Sequence, residues 1–390
     1  MLQLNNMNSK KTFIIAEIGT SHAGKLDKAK KLMDTAISSG ADAVKFQWVY
    51  ADEILHPDTG FVTLPGGKVR LYDRFKELEV SPQFFYECRK YAKDNGIQFI
   101  CSPFGLRSLA ELIQIEPDAI KIASPELNHF PLLKALAKHK NQNECKVIIS
   151  SGVSKELDIK NAVDILGTKN LTLLHCITSY PAPEEQYNLR LLETLKNKFL
   201  LQTGVSDHSL DPVLVPSLSV ACSGKIIEKH ITLSKKTDGL DDPVALEGDQ
   251  FAHMCFCVHQ CDAVLRHYGE VAGKKEIIRQ LSEQFGSERV EKVLGNGIKT
   301  LAPAEKENYG RTNRSLHFMH SVKQGQTIKE SDIAVLRTEK ILTPGLSPDF
   351  LEKVIGKVLK KDAVSGEGLT EQHYFIDEDT FIVDTYPDKY

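Results

Sequence analysis

Polar and charged side chains stand at the ends of short Val/Ile/Leu-rich runs throughout the first 230 residues. They are Glu17 after FIIAE, Lys45 and Gln47 in AVKFQ, Ser102 after QFICS, Lys121 and Ser124 in AIKIAS, and Ser150 after VIIS. His175 and Thr178 follow in LTLLHCIT, Ser206 and His208 in TGVSDH, and His230 in KIIEKH. Two imidazoles, His208 and His230, with water suit a borderline divalent metal that keeps open positions; a histidine so placed is equally an acid/base or hydrogen-bonding group. Lys45 and Lys121, with Ser124, Ser150, Ser151 and Ser206, form a set able to bind a phosphate, and Schiff-base chemistry is the rival role for the lysines. Glu17 and Glu126 are single carboxylates that could move a proton, orient a nucleophile or pair with a lysine. Asp241 and Asp242 lie in a loop beyond the last run, where they either bind sugar hydroxyls or face solvent.

Such groups meet only if the runs are arranged around a common axis. Runs this apolar fit parallel strands buried on both faces, and eight of them alternate with amphipathic stretches. Residues 26–39 place Leu26, Ala29, Leu32, Met33, Ala36 and Ile37 on one helical face. Gly40, Asn95-Gly96 and Gly224 supply left-handed caps before the next run. This is the pattern of an α/β chain folded as a (β/α)8 TIM barrel, whose C-terminal strand ends carry the chemistry, with His175, His208 and His230 expected at one mouth. The stretch from Tyr50 to Leu78, rich in Gly and Pro, is expected to act as a lid. Expected boundaries are a barrel over 10–270, a helical linker over 271–312, a small β-rich domain over 313–375 and a surface tail over 376–390.

Composition excludes some partners. A 390-residue chain with 41% hydrophobic residues and a net charge of −3 gives no electrostatic reason to bind nucleic acid or an anionic membrane. Its N-terminal MLQLNNMNSKK has no apolar core of signal-peptide type, and no run reaches the ~20 apolar residues that span a bilayer, so a cytoplasmic location is expected. The eight cysteines include no CxxC pair and read as reduced core residues. His253, Cys257 and Cys261 share a helical face, but a metal there lacks further ligands, and a buried face is the simpler reading.

The segments IIAEIGTSHAG, GADAVKFQ, LYDRFKELEVS, FICSPF, IKIASPEL, SSGVS, HCITSYPAPEEQYNL, GVSDHS, IEKHITL and GLDDPVALEGDQF together resemble the sialic acid synthase family. These are phosphoenolpyruvate-condensing synthases of nine-carbon sugar acids, and the resemblance runs from residue 12 to about 375 because the C-terminal part resembles the family's SAF (antifreeze-like, β-clip) domain. It implies metal-dependent condensation of phosphoenolpyruvate with the open-chain aldehyde of a 2-acylamino sugar, with water consumed and phosphate released. His208 and His230 then match ligands of a divalent ion, Mn2+ foremost, with Mg2+ or Co2+ as alternatives. Lys121, Ser124, Ser150, Ser206, Thr178 and Ser102 match the phosphoenolpyruvate-binding set. Glu17, Lys45, Gln47 and Glu126 match catalytic positions, while Tyr180 and Asp241 match positions near the sugar. Arg337 matches an SAF arginine that contacts the sugar in a partner subunit's site, which implies a domain-swapped homodimer.

The chain departs from the family pattern. Thr178 stands where some members have Asn, Ser102 where many have Thr, and Asp242 and Ala245 where His and Ser are common; Arg337 lacks the usual Pro-Gly continuation. These departures leave open N-acetylmannosamine, a diacetamido-deoxy sugar of the legionaminic or pseudaminic acid type, or another surface-polysaccharide precursor. A synthase using a phosphorylated sugar and a non-catalytic sugar-binding protein are the other readings.

Overall fold

The computed structural model describes residues 11–64, 67–237, 239–339 and 341–374; the expected tail at 376–390 and most of the polar N-terminal segment lie outside them. Eight strands close into a parallel barrel: β1 Phe13–Gly19, β2 Ala43–Trp48, β3 Gln98–Pro103, β4 Ala119–Ile122, β5 Val147–Ser150, β6 Leu171–Cys176, β7 Gln202–Asp207 and β8 Ile226–His230. Each pairs with its sequence neighbours, and β1 meets β8 through Phe13 opposite Ile226 to Glu17 opposite His230. Helices cover the outside, as in Leu26–Ser38, which buries Ala29, Leu32, Met33 and Ala36 as its spacing requires.

Side chains alternate across a strand, so every second residue enters the barrel. The lower interior is a separate apolar cluster of Phe13, Ile15, Ala43, Ile100, Ala119, Ile148, Leu174 and Ile226. Two residues further along the strands stand Glu17, Lys45, Ser102, Lys121, Ser150, Cys176 and Glu228, so the polar layer lies directly on the apolar floor. The intervening residues face the helices. Asp207 and Lys229 pair there at 2.7 Å with both side chains fully buried.

After the barrel comes the long helix Gly248–Phe285, interrupted at Gly269, whose φ of 78° is outside helical space. Asp262 anchors it to the start of β1 by accepting from Thr12 N and Oγ1 at 2.8 and 2.9 Å. The segment from Tyr50 to Leu78, read above as an irregular loop, contains the short helix Ala51–Ile54, an antiparallel hairpin pairing Phe61–Leu64 with Gly67–Arg70, and the helix Leu71–Lys76. All eight cysteines are unpaired, and Cys257 Sγ lies 3.7 Å from His253 Nε2.

The C-terminal region has its own core, built from residues such as Leu316, Phe318, Ile333, Phe350, Val354 and Leu369. Its strands β9 Arg314–Phe318 and β10 Ile333–Arg337 are antiparallel. This domain packs on the barrel of its own chain, where Leu55 bridges Arg337. The central contact is Glu126, fully buried, which accepts from both Arg314 and Arg337. Arg314 is equally buried and also donates to Phe104 O at 2.7 Å and Val335 O at 3.0 Å, while Asn128 exchanges hydrogen bonds with the Arg314 backbone at 2.8 and 2.9 Å. Arg337, expected to serve a partner subunit, therefore lies over its own barrel.

Burial disfavours the Glu126 carboxylate, but the two guanidiniums outweigh it and hold its pKa below the ordinary value. The contribution of such a group is complete above about 4.3, the free glutamate value, and is lost as pH falls through the depressed native pKa. Glu126→Gln should lower stability at pH 7 by about 3–5 kcal/mol, the cost of leaving buried cations without their partner. Its melting temperature should then fall less steeply than that of the native chain as pH drops below about 4.3. Parallel acid slopes in thermal melts would exclude an ionised Glu126.

Candidate active site

A cavity of about 260 Å3 opens at the C-terminal mouth of the barrel. Glu17, Lys45, Gln47, Lys121, Ser124, Ser150, Thr178, Tyr180, Ser206, His208, His230, Asp241 and Arg337 all line it. Every barrel strand except β3 brings at least one of these to the mouth, directly or through the loop that follows it.

At the floor, Lys45 Nζ sits 2.7 Å from Glu17 Oε2 and 3.6 Å from Glu228 Oε1, and Lys121 Nζ lies 3.7 Å from the same Glu228 oxygen. Ser206 Oγ donates to that oxygen at 2.9 Å, and Gln47 Nε2 donates to Glu17 Oε1 at 2.7 Å. Burial works against the Lys45 ammonium, yet Glu17 and Glu228 hold its pKa above the usual lysine value. For Lys121 burial prevails over Glu228 and the pKa is lowered. Glu228 is itself opposed by burial but drawn down to about 2 by Lys121 and Lys45. Two ammoniums and two carboxylates thus share the floor with the hydroxyls of Ser124, Ser150 and Ser206.

The other side of the cavity is imidazole and phenol. His208 and His230 have ring centroids 5.5 Å apart, and Tyr180 stacks on His208 at 4.2 Å. His208 Nδ1 meets the Ile177 carbonyl at 2.8 Å; a carbonyl only accepts, so Nδ1 carries the hydrogen, and although burial disfavours the charged ring, Cys176 beside it raises the pKa to about 9, so Nε2 is open to a ligand only once the ring gives up a proton. Burial lowers the His230 pKa to about 3, so that ring is neutral and offers a lone pair. Asp241 Oδ2 lies 3.7 Å from His230 Nδ1, and burial raises the Asp241 pKa. Among the described residues no three His, Cys, Asp or Glu side chains close on one point. The chain therefore offers two imidazoles, and their donor chemistry fits a borderline divalent ion whose remaining positions are filled by water or substrate.

Three expected residues stand elsewhere. His175 is on the outer face of β6, where Nε2 meets Tyr187 O at 2.6 Å, because its neighbours Leu174 and Cys176 take the inward positions. Ser102 is fully buried without reaching the cavity wall, and its hydroxyl has no partner among the described residues. Glu126 spends both oxygens on Arg314 and Arg337 and does not line the cavity.

Other functional positions escaped the sequence. Glu228 was legible in principle: it precedes His230 by two residues, so an inward His230 requires an inward Glu228. Phe75, Leu78, Phe104 and Leu240 form an apolar outer wall with Val49, assembled from loops whose course no periodicity reveals.

The profile of the NeuB family matches residues 32–270, and that of the SAF domain matches residues 313–374. The N,N'-diacetyllegionaminic acid synthase of Campylobacter jejuni is 31% identical over 92% of this chain and 100% of its own. A pseudaminic acid synthase from the same species is 30% identical over 96% and 100%. The crystal structure of the spore coat polysaccharide biosynthesis protein SpsE of Bacillus subtilis superposes with a TM-score of 0.76 at 29% identity, covering 94% of this chain and 96% of that one. With a family profile over most of the barrel, an SAF profile over the C-terminal domain and named acid synthases matched along nearly their whole length, the chain belongs to the NeuB family.

Proposed function

We propose that this chain condenses phosphoenolpyruvate with the open-chain aldehyde of a 2-acylamino sugar, consuming water and releasing phosphate, to give a nine-carbon 2-keto sugar acid. The observation that carries this reading is a single cavity with two buried lysines and three serine hydroxyls at its floor and two imidazoles beside them. In this reading Lys121, Lys45, Ser124, Ser150 and Ser206 hold the phosphate and carboxylate of the donor. Carbon 3 of the donor attacks the aldehyde carbon, water adds to the resulting cationic carbon 2, and the tetrahedral product expels phosphate with its bridging oxygen. Glu17, fixed by Gln47 and Lys45, is the wall carboxylate placed to accept the proton of that water. Tyr180, Asp241 and Arg337 orient the sugar.

The floor lysines are already matched in charge by Glu17 and Glu228, so a multiply charged donor calls for further positive charge. A divalent ion held by His208 and His230 would supply it and polarise the aldehyde oxygen. The outer wall bears on the acceptor. Val49, Phe75, Leu78, Phe104 and Leu240 suit methyl and acyl groups, and the cationic residues lining the cavity, Lys45, Lys121 and Arg337, are each engaged with a carboxylate. Among the described residues lining the cavity a terminal phosphate on the sugar would find no uncommitted lysine or arginine, which favours an unphosphorylated, deoxy diacetamido sugar. A homodimer exchanging its SAF domains keeps the docking interface seen within one chain.

Phosphate release from phosphoenolpyruvate should depend on both a divalent metal and one member of a panel of N-acetylmannosamine, diacetamido-deoxy sugars and mannosamine 6-phosphate. EDTA should abolish it, and silence across the panel from folded protein would overturn the reading. His230→Ala should remove metal-dependent turnover with little change in melting temperature. Arg337→Ala should raise the sugar KM by roughly tenfold or more, the scale of a lost charge-assisted hydrogen bond, and leave the phosphoenolpyruvate KM nearly unchanged. Mixing the His230→Ala and Arg337→Ala chains should produce turnover with the native sugar KM if the SAF domain is exchanged, since one site per dimer is then intact. A mixture that shows only the raised sugar KM of Arg337→Ala would mean that each chain closes its own site.

A further inference from the structure

Glu305 lies outside the cavity, in the stretch that leads from the barrel's last helix to the SAF domain, and is 1% exposed. Among the described residues its carboxylate meets no lysine or arginine at bonding distance. Instead Oε1 accepts from two backbone amides belonging to different mouth loops: Val153 N at 2.8 Å, after β5, and Thr178 N at 2.7 Å, after β6. Oε2 is held from behind by Ala302 N at 3.3 Å.

Both loops are donor-end walls of the cavity, through Ser150 and Thr178. Val153 has φ of 42°, a left-handed conformation that is strained for a β-branched residue and persists only where its surroundings impose it. Those surroundings are Glu305 on its N–H and Asn313 Nδ2 on its carbonyl at 3.0 Å. Gly152, beside it, donates to Ser124 Oγ at 3.0 Å. A Cβ on Gly152 would meet Thr178 Oγ1 at 2.2 Å, Ser124 Oγ at 2.9 Å and Glu305 Oε1 at 3.2 Å, so these groups are packed around one point. Lys299 braces the same loop by donating to Ser151 O at 3.1 Å.

We infer that Glu305 is a positioning residue for the phosphoenolpyruvate end of the cavity: one carboxylate oxygen ties the loops after β5 and β6 and so sets Ser124, Ser150 and Thr178. The assignment of that end to phosphoenolpyruvate rests on the function proposed above, whereas the tie itself does not. Removing the carboxylate leaves two buried N–H groups unsatisfied and frees Val153 to relax to negative φ, displacing the hydroxyls that hold the donor. Because Asn313 and Arg314 continue the same segment, the tie also links donor-site order to SAF docking.

The test compares Glu305→Ala, Glu305→Gln and Glu305→Asp in the full chain, by steady-state kinetics and by hydrogen exchange of peptides spanning residues 150–156 and 176–182. Glu305→Ala should raise the phosphoenolpyruvate KM tenfold or more, with the sugar KM changed less than threefold, and should speed exchange in both peptides. Glu305→Gln, whose amide oxygen can accept both N–H groups, should restore the KM to within threefold of the native value. If the alanine chain does not fold, Glu305→Asp carries the same comparison, since its shorter arm cannot reach both amides. An unchanged phosphoenolpyruvate KM in folded Glu305→Ala, or equal loss in the Gln and Ala chains, overturns the inference. If the native chain does not use phosphoenolpyruvate at all, the proposed function fails and exchange alone decides: protection kept in both segments overturns the tie, and protection lost in both supports it.

Discussion

Alternation along eight parallel strands is the constraint on which the molecule depends. Each strand sends every second residue inward, so the step from the apolar floor of Ile15, Ala43, Ala119, Ile148 and Ile226 to Glu17, Lys45, Lys121, Ser150 and Glu228 is one inward position. The floor excludes water from beneath, so charges in the polar layer survive only as partners that the rigid strands hold against one another. Lys45 and Lys121 are tolerated only because Glu17 and Glu228 stand across from them, and Glu228 is tolerated only because both lysines and Ser206 converge on it. The site is thus charge-balanced before any ligand arrives, and an anionic substrate enters a network that must be re-partnered rather than a simple positive pocket.

The same rule explains how far the sequence could be read. The barrel was legible because its strands are continuous apolar runs ended by polar residues, and because the helices between them carry one apolar face. Residues at the strand ends were legible where the inward set could be told from the outward set. His175 was misplaced because a run of six buried residues, Leu171–Cys176, shows no alternation of its own, and only pairing with the neighbouring strands fixes which face each side chain takes. Glu228 was passed over for the opposite reason, since its place followed from His230 two residues later. Glu126 was read as a catalytic carboxylate because its buried arginine partners come from residues 314 and 337, at a separation no local pattern can reveal.

Loops were the least legible part, and they carry much of the cavity's lining. The stretch between Tyr50 and Leu78, expected from its Gly and Pro content to act as a lid, holds two helices and a hairpin and contributes Phe75 and Leu78 to the cavity. The stretch expected as a helical linker over 271–312 delivers Glu305 to two mouth loops, and Asn313, which follows it, reaches Val153. A polar segment between domains therefore acts as part of the barrel's mouth, and docking of the SAF domain and the shape of the donor end share one piece of chain.

Asp242 shows why a departure from a family pattern is not by itself a change in specificity. It stands where His is common, beside the cavity-lining Asp241, but it is fully buried and occupied: Oδ1 accepts from Ser21 at 2.6 Å, and Oδ2 accepts from Gly239 N at 3.1 Å and from Thr237. Ser21 belongs to the loop after β1 and the other two to the loop after β8, so Asp242 joins two mouth loops, as Glu305 joins two others. With both oxygens spent, it has none to offer a hydroxyl in the cavity. The side chains that do face the cavity include the apolar Phe75, Leu78 and Leu240 and the polar Tyr180, Asp241 and Arg337, so a methyl and a hydroxyl on a bound molecule would meet different surroundings.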